Sequence, residues 1–368
     1  MKPQREASSR LAMDREKQMD KIQSFLQLSR EQKVFSGAVF EVGTLDRVLA
    51  QGTIGTLAWD GAPVTKDSLW DLASVTKVIM TVGAMRLFDA GEFCLDDTIA
   101  HFLPEYAGTD KAEITIFDLL THTSGIPGQQ PMYKTISTRE GMLEGIRKLP
   151  LRGSRGTEVA YTSQGFIVLG TILEKIYGKS LDELLLNDVF QPLSMNSTLY
   201  NPGKELLEKI AATEDCPWRG HIVRGQVHDE NAVVMGGVCG HAGLFGCVRD
   251  LSVLCKMMLS EGSLNGVYLL SPSTVRLFTR NHTAHLNLAR GLGWQVKDLH
   301  NSPAGDLVSP STFGHTGFTG TSLWMDPHRG LYAVLLTNRV HPSREGEEIR
   351  RVRSIFHNLA VIQFDGLH

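Results

Sequence analysis

Apolar residues recur along this chain in two rhythms, and the switches between them mark out its parts. Met19, Ile22, Phe25 and Leu26 fall at helical spacing among charged neighbours, which predicts an amphipathic helix behind a flexible tail over residues 1–18. EEIRRVRSIFHNLAVIQ repeats that rhythm near the other end. Just inside each helix the pattern shortens to strand-like runs: GAVFEV and RVLAQGTIG after the first, TSLWMD and LYAVLLTN before the last, the latter pair joined by Pro-His-Arg-Gly. Such runs at opposite ends of a chain, each beside a helix, predict one antiparallel sheet assembled from both termini with the two helices covering a face.

Between them, from about residue 80 to 280, the pattern is mostly helical. ITIFDLLTHTSG opens with Thr115 and Asp118 in capping-box spacing, and FIVLGTILEKIYG ends at Gly178 as a helix stop. No repeat or low-complexity linker interrupts the chain, so a single domain is expected over residues 19–368. Its sheet lobe would take about 19–73 and 285–368, its helical lobe about 74–284, in the α/β (α+β) class. A cleft between two such lobes is where a site is expected.

Composition narrows the classes. With 42% apolar and 21% charged residues the chain is that of a globular protein, and a net charge of -3 without a basic run excludes a general nucleic-acid partner. The first twenty residues carry charges throughout and no apolar stretch resembling a signal peptide, and no later segment is long enough to span a membrane, so a cytoplasmic location and no membrane partner are expected. Five cysteines, Cys94, Cys216, Cys239, Cys247 and Cys255, form no zinc-type pairs, which fits reduced thiols. Cys239 and nearby His241 lack a second ligand pair, so no metal is expected.

Ser74 and Lys77 stand three apart at the start of an apolar run, on nearly the same face of a helix. Val75, Val78, Ile79, Val82 and Met85 enclose that helix, and a buried lysine there is costly unless it has partners. Taken alone, S-x-x-K is common, and a lysine snorkelling beside an ordinary serine explains it equally. Two later segments matter: VAYTSQGF, with Tyr161 two residues before Ser163, and STFGHTGFTGTSLW, with His315-Thr316-Gly317 at the head of the strand pair.

In this order, S-x-x-K, Y-x-S and H-T-G resemble the three motifs of the serine β-lactamase and penicillin-binding protein superfamily, above all its class C-like branch, which includes family VIII carboxylesterases, D,D-peptidases and muropeptide amidases. LLTHTSGIPG and GHAGLFG are similar to lesser features of that family. The resemblance implies a β-lactamase-like fold in which a central antiparallel sheet is flanked by the terminal helices and faced by a mostly helical lobe. It also implies that Ser74 attacks a carbonyl, with a Tyr161 phenolate stabilised by Lys77, or Lys77 itself, taking the proton. The backbone N–H groups of Ser74 and Phe318 would form an oxyanion hole, Gly317 would let substrate approach, and Ser163 would bind a substrate amide or orient Lys77. His315 and Thr316 would line the substrate site.

Two positions depart from the commoner family pattern. His315 stands where most β-lactamases have lysine, and being only partly charged near neutrality it offers less to a substrate carboxylate. Ser163 replaces the commoner asparagine with a shorter group. His228, Asp229 and Glu230 in VHDEN are read either as a substrate-facing loop or as a solvated turn; His122 is expected to brace a turn, and Trp70 and Trp324 to sit in the core or cleft wall. The function implied is acyl-enzyme hydrolysis of small esters or amides without cofactor, the partner being an ester, amide or β-lactam-like molecule. The alternatives are a D,D-peptidase or muropeptide amidase, a β-lactamase, and an inert acyl-ligand binding protein or scaffold.

Overall fold

In the computed structural model, which describes residues 21–366, the apolar runs from the two ends of the chain meet in one six-stranded antiparallel sheet. Its strands in chain order are β1 (Gly37–Gly43), β2 (Val48–Gly55), β3 (Gln295–Val296), β4 (Phe313–Thr316), β5 (Ser322–Asp326) and β6 (Leu331–Thr337). Across the sheet the order is β3, β4, β5, β6, β1, β2, so the first strand pairs with the last, Phe40 opposite Leu335. GAVFEV and LYAVLLT read as nearly continuous apolar runs because both of their faces are covered.

The two faces separate with period two. Ala38, Phe40 and Val42 of β1 and Leu331, Ala333 and Leu335 of β6 share a core with α1 (21–31) and the C-terminal helix Glu348–Asp365. Ile22, Leu26 and Phe356 are fully buried there, and the Phe40 and Phe356 rings meet edge to face at 5.9 Å. Met19 and the tail assigned to residues 1–18 lie outside the described residues. Val39, Tyr332, Val334 and Leu336 turn the other way into a second core, shared with α2 (Val75–Asp89), α3 (Ser163–Tyr177) and α4 (Val248–Leu259). The C-terminal helix is α5.

Helix α2 explains its own sequence. Twelve of its fifteen residues are buried, Lys77 among them, so it has core on every side and no polar face to display. Thr115 and Asp118 form the expected capping box, and α3 ends on Gly178 at φ 76°. The middle of the chain is less purely helical than its apolar pattern predicts: Trp70–Asp71, Leu199–Tyr200 and Leu244–Gly246 pair as a small second sheet. Each pairing there is two residues long, too short for an alternating pattern to register. That small sheet ends at the residues leading into α2.

Candidate active site

Ser74 occupies the N-cap position of α2, yet its hydroxyl caps nothing. The turn before it is under tension: Ala73 has φ 45°, a left-handed conformation that costs a non-glycine residue about 1–3 kcal/mol and persists only where the surroundings dictate it. Asp71 dictates it here, one carboxylate oxygen accepting the Ala73 N–H at 2.8 Å and the other the His228 N–H at 2.6 Å. Burial pushes the Asp71 carboxyl up despite those bonds.

Freed from capping, Ser74 Oγ accepts the Tyr161 O–H at 2.7 Å and lies 3.1 Å from Lys77 Nζ. Lys77 is fully buried, and its other hydrogen bond goes to the His241 carbonyl at 3.1 Å. It also lies 4.9 Å from the Tyr161 ring centre and 5.6 Å from that of Phe166, contacts that suit a cation. A lysine held by a hydroxyl, a carbonyl and two ring faces is not one that snorkels to solvent. The near neighbour Lys77 and the distant Tyr161 thus converge on the Ser74 oxygen.

The loop after β4 is tied to the segment that carries Ser74. Thr319 Oγ1 donates to the Asp71 carbonyl at 2.7 Å and Thr321 Oγ1 to the Leu72 carbonyl at 3.0 Å. A Cβ on Gly317 would fall 2.1 Å from Thr321 Oγ1 and 2.5 Å from the Leu72 carbonyl oxygen, so packing of the chain on itself already demands glycine there. Among the described residues, neither the Ser74 N–H nor the Phe318 N–H has a hydrogen-bond partner in the chain. Both donors are therefore unoccupied within the described chain, and Ser74 and Phe318 line the same two cavities.

His315 is 2% exposed, and its Nδ1 lies 2.7 Å from the Thr316 carbonyl oxygen, the geometry of an N–H donor. Burial, and then the charge of Lys77, push its pKa down to about 3. The partial charge expected from sequence is thus absent, because an exposed histidine and a histidine buried near a lysine titrate differently. Ser163 begins α3 and makes no bond to Lys77; its nearly buried side chain faces a cavity instead.

Ser74, Tyr161 and Phe318 line two adjoining cavities of about 470 and 230 Å³. The larger is also lined by His315, by five arginines, Arg290, Arg339, Arg344, Arg350 and Arg353, and by Glu345 and Glu347. Arg353 is buried on α5 and donates to the Gly317 and Thr321 carbonyls; its Nε has no partner, and no carboxylate pairs with it. Burial, with Arg339 and Arg350 nearby, lowers its pKa. Arg290, also buried, has its nearest carboxylate oxygen 3.9 Å away on Asp298, and its Nε is likewise unpaired.

The smaller cavity is lined by Tyr133, Ser163, His228, Asp229 and Glu230. The solvated-turn reading of VHDEN is corrected here, for His228 and Glu230 are buried and the segment is held by its charges. His228 Nε2 lies 3.0 Å from Glu214, and Arg344 donates to both Glu214 and Glu230. Asp229 caps the short helix Glu230–Val234 and lies 2.9 Å from His241 Nε2. Burial opposes both charges of that pair, yet their attraction holds the Asp229 carboxyl well below its ordinary range and raises His241 to about 10. Cys239 Sγ lies 3.2 Å from His241 Nδ1, on the far side of the imidazole from Asp229. Among the described residues one group, Glu214, Cys216 and Glu230, has metal-ligand spacing, but the Arg344 guanidinium bonds both of its carboxylates. Trp70 and Trp324 are core residues.

Sequence reasoning missed the arginines. Arg353 carried a signal, since it falls in the buried stripe Ile349, Val352, Phe356 and His357 of α5, where a guanidinium needs a reason. Arg290, in an irregular segment, carried none.

The beta-lactamase family model matches residues 21–356. A putative D-alanyl-D-alanine carboxypeptidase of Escherichia coli (strain K12) is 34% identical over 308 residues, covering 75% of this chain and 70% of that protein. Among solved structures, EstCE1, a hydrolase with promiscuous acyltransferase activity, aligns with a TM-score of 0.78 at 22% identity over 95% of this chain and 99% of its own. A class C beta lactamase from Rhodobacter sphaeroides aligns at 0.73 and 19% identity over 93% and 99%. At those identities the two structures speak for the fold alone. The family match and the carboxypeptidase relative carry the assignment: this chain belongs to the beta-lactamase family of serine hydrolases.

Proposed function

We propose that the chain hydrolyses small esters or amides through an acyl-enzyme on Ser74. The observation that carries this reading is the convergence of Tyr161 at 2.7 Å and Lys77 at 3.1 Å on the Ser74 hydroxyl. Tyr161, as phenolate beside the Lys77 ammonium, takes the serine proton as Oγ bonds to the substrate carbonyl carbon. The developing oxyanion is met by the free N–H groups of Ser74 and Phe318. Tyr161 then protonates the leaving group, later draws a proton from the water that attacks the acyl carbon, and returns that proton to Ser74 Oγ as the acyl–oxygen bond breaks. Tyrosine suits this shuttle better than lysine, because Tyr161 lines both cavities and Lys77 lines neither.

A second reading concerns the leaving group. Among the described residues, buried Arg353 pairs with no carboxylate and buried Arg290 has only Asp298 at 3.9 Å, a weakly compensated arrangement that a substrate anion relieves. With neutral His315 unable to serve a carboxylate, these arginines favour a leaving group that bears one, as in a D,D-carboxypeptidase, the activity in the name of the Escherichia coli relative. Five free cysteines support a reducing compartment, hence the cytoplasm, and no described helix is long and apolar enough to cross a membrane.

The experiment is a side-by-side assay of p-nitrophenyl esters, a peptide ending in D-alanyl-D-alanine, its C-terminal amide, and nitrocefin. Short-chain ester turnover is expected to exceed that of nitrocefin, and the free peptide to outrun its amide. Equal rates for peptide and amide would remove the carboxylate reading. Absence of any Ser74-dependent adduct with a fluorophosphonate or a fluorescent penicillin would remove the hydrolase reading and leave an acyl-binding protein.

A further inference from the structure

His122 lies in the sequence Leu120-Thr121-His122-Thr123-Ser124-Gly125, buried, with φ 60°. A histidine in the left-handed region is uncommon, and such a conformation held in a packed interior is a reason to ask what the residue does. It touches neither Ser74 nor Lys77 through a hydrogen bond. Three of its contacts go to one short stretch of chain, the residues around Tyr161, and a fourth goes to Phe166.

Its carbonyl accepts the Ala160 N–H at 2.9 Å, and its ring Nδ1 accepts the Thr162 N–H at 3.2 Å. These bonds hold the residues immediately before and after Tyr161. The imidazole also lies against the phenol, ring centres 4.7 Å apart, and stacks on Phe166 at 4.9 Å from its other neighbour. Because a backbone N–H can only donate, the ring is neutral at Nδ1 and carries its proton on Nε2. Burial, reinforced by Arg290, Lys77 and His315, keeps the imidazole from charging. The same segment closes down on Tyr161 a second time: a Cβ on Gly128 would fall 2.1 Å from the Tyr161 carbonyl oxygen.

We propose that His122 is a positioning residue for Tyr161, acting on catalysis through the phenol and touching no substrate itself. One side chain and its own carbonyl fix the peptide on both flanks of Tyr161, while the ring face limits rotation of the phenol toward Ser74. The inference rests on the reading of Tyr161 as the proton carrier. A mobile phenol leaves substrate binding intact and slows proton transfer, so the effect belongs in kcat and not in KM.

Two replacements separate the contacts. His122→Asn tolerates the left-handed backbone and keeps a side-chain acceptor while losing the ring; His122→Phe keeps a ring face and loses the acceptor. Each is measured with p-nitrophenyl butyrate in the full chain, alone and combined with Tyr161→Phe. Each single variant is expected to lower kcat on the order of 10- to 100-fold, with KM changed by less than about threefold. Combined with Tyr161→Phe, it is expected to cost less than about twofold more, since a residue that acts through the phenol has nothing left to act on. Equal losses in both backgrounds, or an unchanged kcat in both single variants, would overturn the proposal. If His122→Phe fails to fold, His122→Asn decides alone. A Tyr161→Phe chain with wild-type kcat would instead overturn the reading of Tyr161, and this inference with it.

Discussion

The two cavities that meet at Ser74 are built on opposite electrostatic terms. On the smaller side every charge named has an opposite within the chain: Asp229 has His241, Glu214 has His228 and Arg344, and Glu230 shares Arg344. On the larger side Arg353 donates only to backbone carbonyls and Arg290 has its acid at 3.9 Å. Buried charge without a counter-ion is destabilising unless something outside the chain completes it. The charges of one side are therefore closely paired within the chain, and those of the other are paired loosely or with backbone carbonyls alone.

Ser74→Ala is the broadest test of that contrast. It is expected to lower turnover of every substrate by at least about 10³-fold, while a product bearing a carboxylate still binds on the arginine side, as calorimetry can measure. Loss of that binding together with turnover would mean that the arginines do not form a separate site. Tyr161→Phe comes next, with a loss of kcat on the order of 10²- to 10⁴-fold for esters and amides alike. A loss confined to one substrate class would place the phenol in recognition and not in proton transfer.

Arg290→Gln divides the two sides. It is expected to lower the ratio of kcat/KM for a free D-alanyl-D-alanine peptide over its amide by about 10- to 100-fold, the range of a charge-assisted hydrogen bond. Raising the salt concentration should narrow the same ratio more gently, because buried pairs are screened less than exposed ones. An unchanged ratio would put the anion elsewhere.

The smallest effect concerns the closely paired side. His241 is raised from the ordinary 6.5 to about 10 by Asp229, so the pair contributes stability that is fully present below about pH 6.5 and is lost as pH rises toward 10. Asp229, held below its ordinary value, works in the other direction: its share is present above the ordinary carboxylate range and is lost only in strong acid. The melting temperature should therefore decline between pH 7 and about 10, and Asp229→Asn should flatten that decline. Parallel pH profiles in the two proteins would mean that the pair is not ionised as described.

How far the residues announced this structure depended on their range of interaction. The sheet could be read from LYAVLLTN and GAVFEV because burial on two faces writes itself into consecutive positions, and the capping box at Thr115 because its partners are three apart. Helical spacing put Ser74 and Lys77 on one face, but Tyr161 and His315 were recognisable only through family motifs, since nothing in their local chemistry foretold that they would join that pair. The two readings of VHDEN stayed open and the loss of charge on His315 was only half read for the same reason, since charge state and burial depend on neighbours distant in sequence, such as Lys77, Glu214 and Arg344. Arg290 is the limiting case, a side chain whose meaning comes wholly from the cavity it enters.

Arg353 belongs to the last helix of the chain and holds the Gly317 and Thr321 carbonyls, while β1, near the beginning, pairs with β6. During synthesis the earliest strand must wait for the latest, and the loop bearing Phe318 gains its last tether when residue 353 has emerged from the ribosome. A chain cut before α5 thus lacks the guanidinium that bridges the Gly317 and Thr321 carbonyls on either side of Phe318.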